Sequence, residues 1–550
     1  MERKKQSFNQ IKEKGITLVA LVVTIVILLI LAGITINMTV GQNGLFRRAQ
    51  NAVDTYKKSA STEQSQMDAL AGILDGVNGN TFNKDKKVNV PSVKTGMTPI
   101  KFEEATASAK GQAVTTNIDD SAWYDYTAKH WANAQTQDGS MWVWIPRYAY
   151  KINSSNQTTD VVFLIGNSDK YYDADGNIQT AKRCTSVDET VDTTTGYTVH
   201  PAFTNESSIG YRNGGWDSEL TGIWISKFEA GYAGSNGANN APVKASSVNY
   251  SQSTVWAANI EVKGENPSAT TDGTLSARNW LDGVYGSTIT SIKYPTFQGT
   301  TYSMNYINHS DAYSISKAMN EGGNIYGLSN DSDSHLIKNS EWGAISYLSK
   351  SQYGLSSTDI AVNSKNMNNG GVSTTKANGN TLASVYAITG YNNNGNEWNS
   401  NIGSNLSAST TGNIYGIYDL SGGTWERSAA YVANGNGNLA SYGSSFAKAT
   451  TSTKYATVYA STEIGSDDNA RGQSNYEANT KIYGDAVRET STAGAGATSW
   501  YGDYSYFPEG GGPFFVRGGH FWDGGGAGLF CFSRHAGNST YDAGFRAVLA

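Results

Sequence analysis

Glycine and uncharged polar residues crowd this 550-residue chain, and that density constrains its fold more than any other feature. Only 38% of the residues are hydrophobic and 16% charged, 60 are glycine, and Asn, Ser and Thr fill much of the remainder. Their side chains compete with the helical backbone for hydrogen bonds and favour turns, long loops and β structure. An all-helical protein is excluded. The length suffices for a large core and predicts one elaborated domain with appendages, or two to three domains.

The formal net charge is −6, and no basic tract follows the N-terminal stretch. Nucleic acid therefore finds no electrostatic footprint and is not expected as a partner. Cys184 and Cys531 lie far apart and match no Cys-x-x-Cys metal or redox spacing. The first fifteen residues set Arg3, Lys4, Lys5, Lys12 and Lys14 against Glu2 and Glu13, and an uncharged apolar run from Ile16 to Ile36 follows. As a helix that run would be about 31 Å long, enough to span a bilayer. With positive charge ahead of it, the expectation is a single-pass membrane protein whose remainder faces outward. The junction Lys14-Gly15-Ile16-Thr17-Leu18-Val19 resembles a type IV prepilin leader. The resemblance implies cleavage between Gly15 and Ile16, and pilus-like assembly. Ala20 stands at the fifth mature position, where pilins usually carry Glu, and this weighs against assembly more than against anchoring. An uncleaved signal anchor is the plainer alternative.

Beyond the apolar run, 37–75 reads as a polar, Ala-rich helical stalk and 76–120 as a linker or the irregular start of an ectodomain. From 121 to 550 aromatic residues become frequent and short strand-like patches alternate with Asn/Ser/Gly loops. Strands are expected at 141–148 and 222–229, and a helix at 339–348 with Asn339 as its N-cap and Glu341 in its first turn. The stretches 232–300, 350–412 and 430–500 have few apolar anchors and read as long surface loops.

Three C-terminal segments carry the most information. They are 413–426, ending in Gly422-Gly423-Thr424-Trp425-Glu426, then Phe515-Val516-Arg517-Gly518-Gly519, then Gly544-Phe545-Arg546. Together with the upstream strands and helix in this order, they resemble the formylglycine-generating-enzyme (sulfatase-modifying-factor) family. The resemblance covers about 121–550. It implies an α+β chain with an elaborated C-type-lectin fold and long loops, mounted here on the membrane helix and stalk. The oxidases of that family need two nearby C-terminal cysteines to hold copper, since one thiolate cannot make the site. Only Cys531 is present there, so the oxidase is the weakest reading. The histidines form no i,i+4 ligand pair and no loop has the spacing of a defined calcium site, so no cofactor is expected, with a structural calcium ion left open.

The segment 517–546 resembles more closely the variable region of diversity-generating-retroelement proteins, in which errors at adenines rewrite selected codons, commonly Asn codons. Adenine changes in an Asn codon never yield Lys, Glu, Gln or Met, and none of these four occurs from His520 to Gly544. At the chain's own composition roughly three would be expected there. The resemblance implies no chemistry and a displayed set of contacts: His520, Phe521, Asp523, Gly526, Cys531, Ser533, Arg534, His535, Asn538, Tyr541 and Asp542. Gly518, Gly519, Gly524, Ala527, Gly528, Phe530, Phe532, Phe545 and Arg546 are expected to be frame. Leu529, Cys531 and Ser533 alternate with Phe530 and Phe532, as in a strand with one face buried and the other displayed. Trp522 cannot arise from an Asn codon by adenine changes and is assigned to the frame or to a fixed contact. Arg517 and Arg546 read as buried or half-buried guanidinium groups satisfying loop carbonyls or a carboxylate such as Glu426. Small residues mixed with rings, Asp, Arg and His make an adaptable surface like an antibody paratope. The expected partner is a protein or glycan on another cell, a host or a phage. The alternative is a minor pilin or adhesin of fixed specificity.

Overall fold

The computed structural model divides the chain into two compact units, 1–70 and 71–550. It describes 23–27, 53 and 81–550, except 104, 107, 187–188, 206–212, 232–294, 302, 306, 366–386, 393, 395, 401–404, 463–468 and 541. In the first unit only the helical turn 23–27 and Val53 are described. The leader with Gly15 and Ile16, and nearly all of 16–36 and 37–75, lie outside the described residues.

The expectation of a single-pass membrane protein on a helical stalk is corrected. Among the described residues no helix is long and apolar enough to cross a membrane. The helix Asn339–Ser349 has 11 residues, about 16 Å at the α-helical rise, and contains Asn, Ser, Glu and Gly. The expected mixture of α and β structure is roughly met, with the weight on strands. Strands dominate the described residues and the helices are few and short. The composition accounts for this, because Asn- and Gly-rich segments do not sustain helical runs.

In 71–550 two seven-stranded sheets carry the fold. The first runs in the order His335–Leu336, Ala547–Leu549, Gly222–Ser226, Met141–Pro146, Asn133–Thr136, Met97–Glu103, Gln112–Thr115, with every pair antiparallel. Strands over 97–103 and 112–115 belong to this sheet, so of the two readings of 76–120 its latter part is the start of the folded domain and not a linker. Met141–Pro146 and Gly222–Ser226 are buried along their whole length. That explains their continuous apolar runs, since strands covered on both faces do not alternate. Trp144 and Trp224 are paired across them with ring centroids 5.3 Å apart.

The second sheet is mixed. Its centre is Trp425–Val432, flanked on one side by Phe514–Gly518 and on the other by Ala543–Phe545 and Thr457–Tyr459. Gly528–His535 follows Phe514–Gly518, and Ser505–Tyr506 and Ala495–Gly496 complete the order. The stretch 430–500, expected to be loop, therefore contributes strands and the helices Gly437–Tyr442 and Asn469–Ala478.

The helix at 339–349 forms where the sequence places it, with Glu341 Oε2 accepting the Lys338 N–H at 2.8 Å, so the chain enters it one residue earlier than the expected Asn339 cap. All of its residues are buried. Trp342 donates its indole N–H to the Leu529 carbonyl at 2.7 Å, seating the helix against the second sheet. Gly343 permits the approach of the 484–485 loop, because a Cβ there would sit 2.1 Å from the Gly484 carbonyl oxygen. Gly343→Ala should cost about 1–3 kcal/mol through overpacking. Gly525→Ala, where a Cβ meets nothing within 4 Å, should stay within about 0.5 kcal/mol. Urea unfolding of the two variants checks the contrast, and equal effects would contradict it.

Candidate functional site

The three C-terminal motifs converge on one strand. Glu426 faces Arg517 in the antiparallel partner and Gly544 in the parallel one. Arg546 follows directly, between Ala543–Phe545 of the second sheet and Ala547–Leu549 of the first. Its guanidinium donates to Glu426 Oε2 from Nε at 2.9 Å and to Oε1 from Nη2 at 2.6 Å. Nη1 reaches the Ser226 carbonyl at 2.6 Å and Nη2 the Tyr418 carbonyl at 2.8 Å. Arg517 donates to the carbonyls of Cys531, Asp485 and Ala486, each at 3.0 Å. Both arginines are fully buried, within what their reading from sequence allowed.

Glycines release the chain from this frame. Gly518 and Gly519 both have positive φ, at 84° and 74°, a backbone region costly for side chains bearing a Cβ. There the strand Phe514–Gly518 turns into 520–527. In that turn the Phe521 N–H donates to the Gly423 carbonyl at 3.0 Å, and Asp523 Oδ2 lies 2.8 Å from the His520 backbone nitrogen and 2.7 Å from its Nδ1.

A second buried group lies beneath the other end of the segment. Arg427 Nη1 donates to Nδ1 of His309 at 2.8 Å and of His535 at 3.2 Å, and Nη2 donates to the Asn538 carbonyl at 2.7 Å. Each Nδ1 must therefore present its lone pair. Burial, followed by the Arg427 charge, holds both imidazoles well below the ordinary histidine range, in agreement with that geometry.

The nominated contacts separate accordingly. His520, Asp523, Gly526, Ser533, Arg534, His535, Asn538 and Asp542 are half-buried at the surface of one continuous segment. Phe521 and Cys531 are buried and do not serve as displayed contacts. Tyr541 lies outside the described residues. The expected alternation along 529–533 fails because Gly528 to Phe532 are all buried. The helix at 339–349 meets that strand through Trp342, and Phe532 packs in a cluster with Tyr459, Phe507 and Phe515. Burial pushes the Cys531 thiol well above its ordinary value, the reverse of an activated thiolate. Arg534 is tied to Glu509 and lies 4.3 Å above the Tyr506 ring, and His535 supports Arg427, so both are less replaceable than their exposure suggests. Sequence reasoning missed Tyr504, which is 40% exposed beside Gly526. Nothing in its local pattern marked it, since parallel pairing of Ser505 with Phe532 brings it there. Among the described residues no group of three or more His, Cys, Asp or Glu side chains is arranged to hold a metal ion.

Around Arg546 lie more carboxyl groups than its guanidinium can neutralise. Glu229 and Asp419 are buried with Glu426. Glu229 meets the Ser303 hydroxyl and accepts from the Thr424 N–H at 3.1 Å, and Asp419 accepts from Asn363 Nδ2 and the Gly390 N–H, both at 2.8 Å. Burial, then the neighbouring carboxylates, raises Glu229 well above its ordinary value, and burial raises Asp419 to about 6 and Glu426 to about 7. The bidentate Arg546 contact keeps the anion on Glu426, so the proton resides chiefly on Glu229. Acids raised on folding bind protons preferentially in the folded state. Their contribution is complete below the ordinary carboxylate range and is lost as pH rises through their raised values. Unfolding free energy in urea should therefore fall between about pH 5 and about pH 8. Glu229→Gln should flatten that slope, and an unchanged slope would contradict the assignment. No protein-family model matches the chain, and no curated protein matches it.

Proposed function

We propose that this chain is a binding protein whose 517–546 segment presents replaceable side chains on a fixed frame, of the kind a diversity-generating retroelement rewrites. One observation carries the reading. Within these positions, the residues that anchor the two sheets are buried, and most of those that reach the surface take no part in that anchoring. Arg517, Phe530, Phe532, Phe545 and Arg546 are buried, whereas His520, Asp523, Gly526, Ser533, Asn538 and Asp542 are half-exposed. Changes at surface positions without special contacts usually move stability by less than about 0.5 kcal/mol, so such positions can vary while the frame persists. The missing Lys, Glu, Gln and Met between 520 and 544 support the same reading. The raised Cys531 thiol and its full burial favour binding over thiol chemistry. The partner class is a protein or a glycan.

Sequencing the DNA that flanks the gene tests this. A reverse transcriptase is expected, with a near copy of codons 517–546 differing mainly at adenines. Differences among gene copies should fall on the half-exposed positions and spare Arg517, Gly518, Gly519, Phe545 and Arg546. An invariant segment with neither feature nearby would leave a binder of fixed specificity, and variation at the buried arginines would contradict the division of labour.

A further inference from the structure

Among the described residues of 71–550, the exposed large hydrophobic side chains are Ile118, Ile178, Tyr504 and Trp522. The two aromatic ones adjoin the same short turn. Trp522, 51% exposed, leads into Gly524–Gly526, and the Tyr504 N–H donates to the Gly526 carbonyl at 2.9 Å at the far end of that turn. Between them the glycines project no side chain. A Cβ on Gly524 or Gly525 would meet nothing within 4 Å. The Trp522 ring is also braced, with Phe521 4.7 Å away and His520 5.9 Å away between centroids, and His520 in turn is stacked on Trp425 at 6.4 Å. Ring packing of this kind restrains Trp522, and such restraint lowers the entropic cost of binding. Trp522 is no part of the buried frame, which leaves the role of fixed contact.

Resting on the binding reading above, we propose that Trp522 and Tyr504 flank a carbohydrate subsite, in which the indole face receives the C–H face of a pyranose ring above the glycine turn. The electron-rich face of an aromatic ring attracts polarised C–H groups, and a side-chain-free turn leaves room for a ring and its hydroxyls. Area decides against a protein as the principal occupant of this spot. A stable protein interface buries about 800 Å² per partner around several apolar anchors, and here two isolated rings stand beside bare backbone. A monosaccharide or disaccharide needs no more than that.

The test uses the intact protein on an array of immobilised oligosaccharides, with purified lysozyme as the protein probe and chelator added in a parallel set. The expected result is binding to at least one oligosaccharide, unaffected by the chelator. Trp522→Ala should weaken it at least tenfold and Tyr504→Ala severalfold. Trp522→Phe should retain most of it, and all three variants should unfold at the parent's urea midpoint. Binding to lysozyme alone, no oligosaccharide bound, or glycan binding indifferent to Trp522→Ala would each overturn the proposal. These outcomes are separable from failure of the binding reading. Diversified gene copies without glycan binding defeat the subsite alone, whereas glycan binding with invariant copies defeats the diversification alone.

Discussion

One guanidinium joins the two large sheets. Arg546 lies where the chain leaves the mixed sheet and enters the antiparallel one, and its donors reach Glu426 in the first of these and the Ser226 carbonyl in the second. A buried ion pair contributes little net stability against an apolar replacement, but losing one partner strands a charge without solvent. The arrangement therefore acts as a constraint on geometry. With Arg546 in place, the strands before and after it can take only one relative position, and the 517–546 segment is closed at its C-terminal end.

The surrounding glycines follow from that closure. Gly423 brings its backbone so near Glu229 that a Cβ would stand 2.8 Å from a carboxylate oxygen, and its φ is +71°. Arg517 and Arg427 repeat the device at the other strands, anchoring carbonyls of irregular backbone that no sheet partner satisfies. Loops held this way lean less on their own side chains for support, which leaves most of their outward positions open to change. On the binding function proposed above, stability lives in buried donors and specificity in what the half-exposed positions display.

Much of this was legible in the sequence. The apolar runs at 141 and 222 and the helix at 339 form where periodicity and capping residues place them. The motifs around Glu426, Arg517 and Arg546 meet in register, with both arginines buried as read. Contacts between distant segments were not legible. The strand at 528–535 looked one-sided because alternation cannot reveal that Trp342, nearly two hundred residues earlier, covers it. Tyr504 gave no sign of its place beside Gly526. The stretch 430–500 conceals strands because its apolar anchors are brief, Val458 and Tyr459 making no more than a pair. Length and hydropathy suggested a membrane helix at the N-terminus, but no described helix has the length to serve as one.

The central claim is that frame and surface are separate within 517–546. Equilibrium urea unfolding of Arg546→Met and of a triple variant, His520→Asn, Ser533→Asn and Asn538→Ser, tests it most directly. The account predicts a loss of about 3–5 kcal/mol for the single change, because Glu426 is left buried and unpaired. It predicts that the triple variant stays within about 1.5 kcal/mol of the parent. Comparable losses in the two proteins would show that the displayed residues hold the fold together, and would contradict the account.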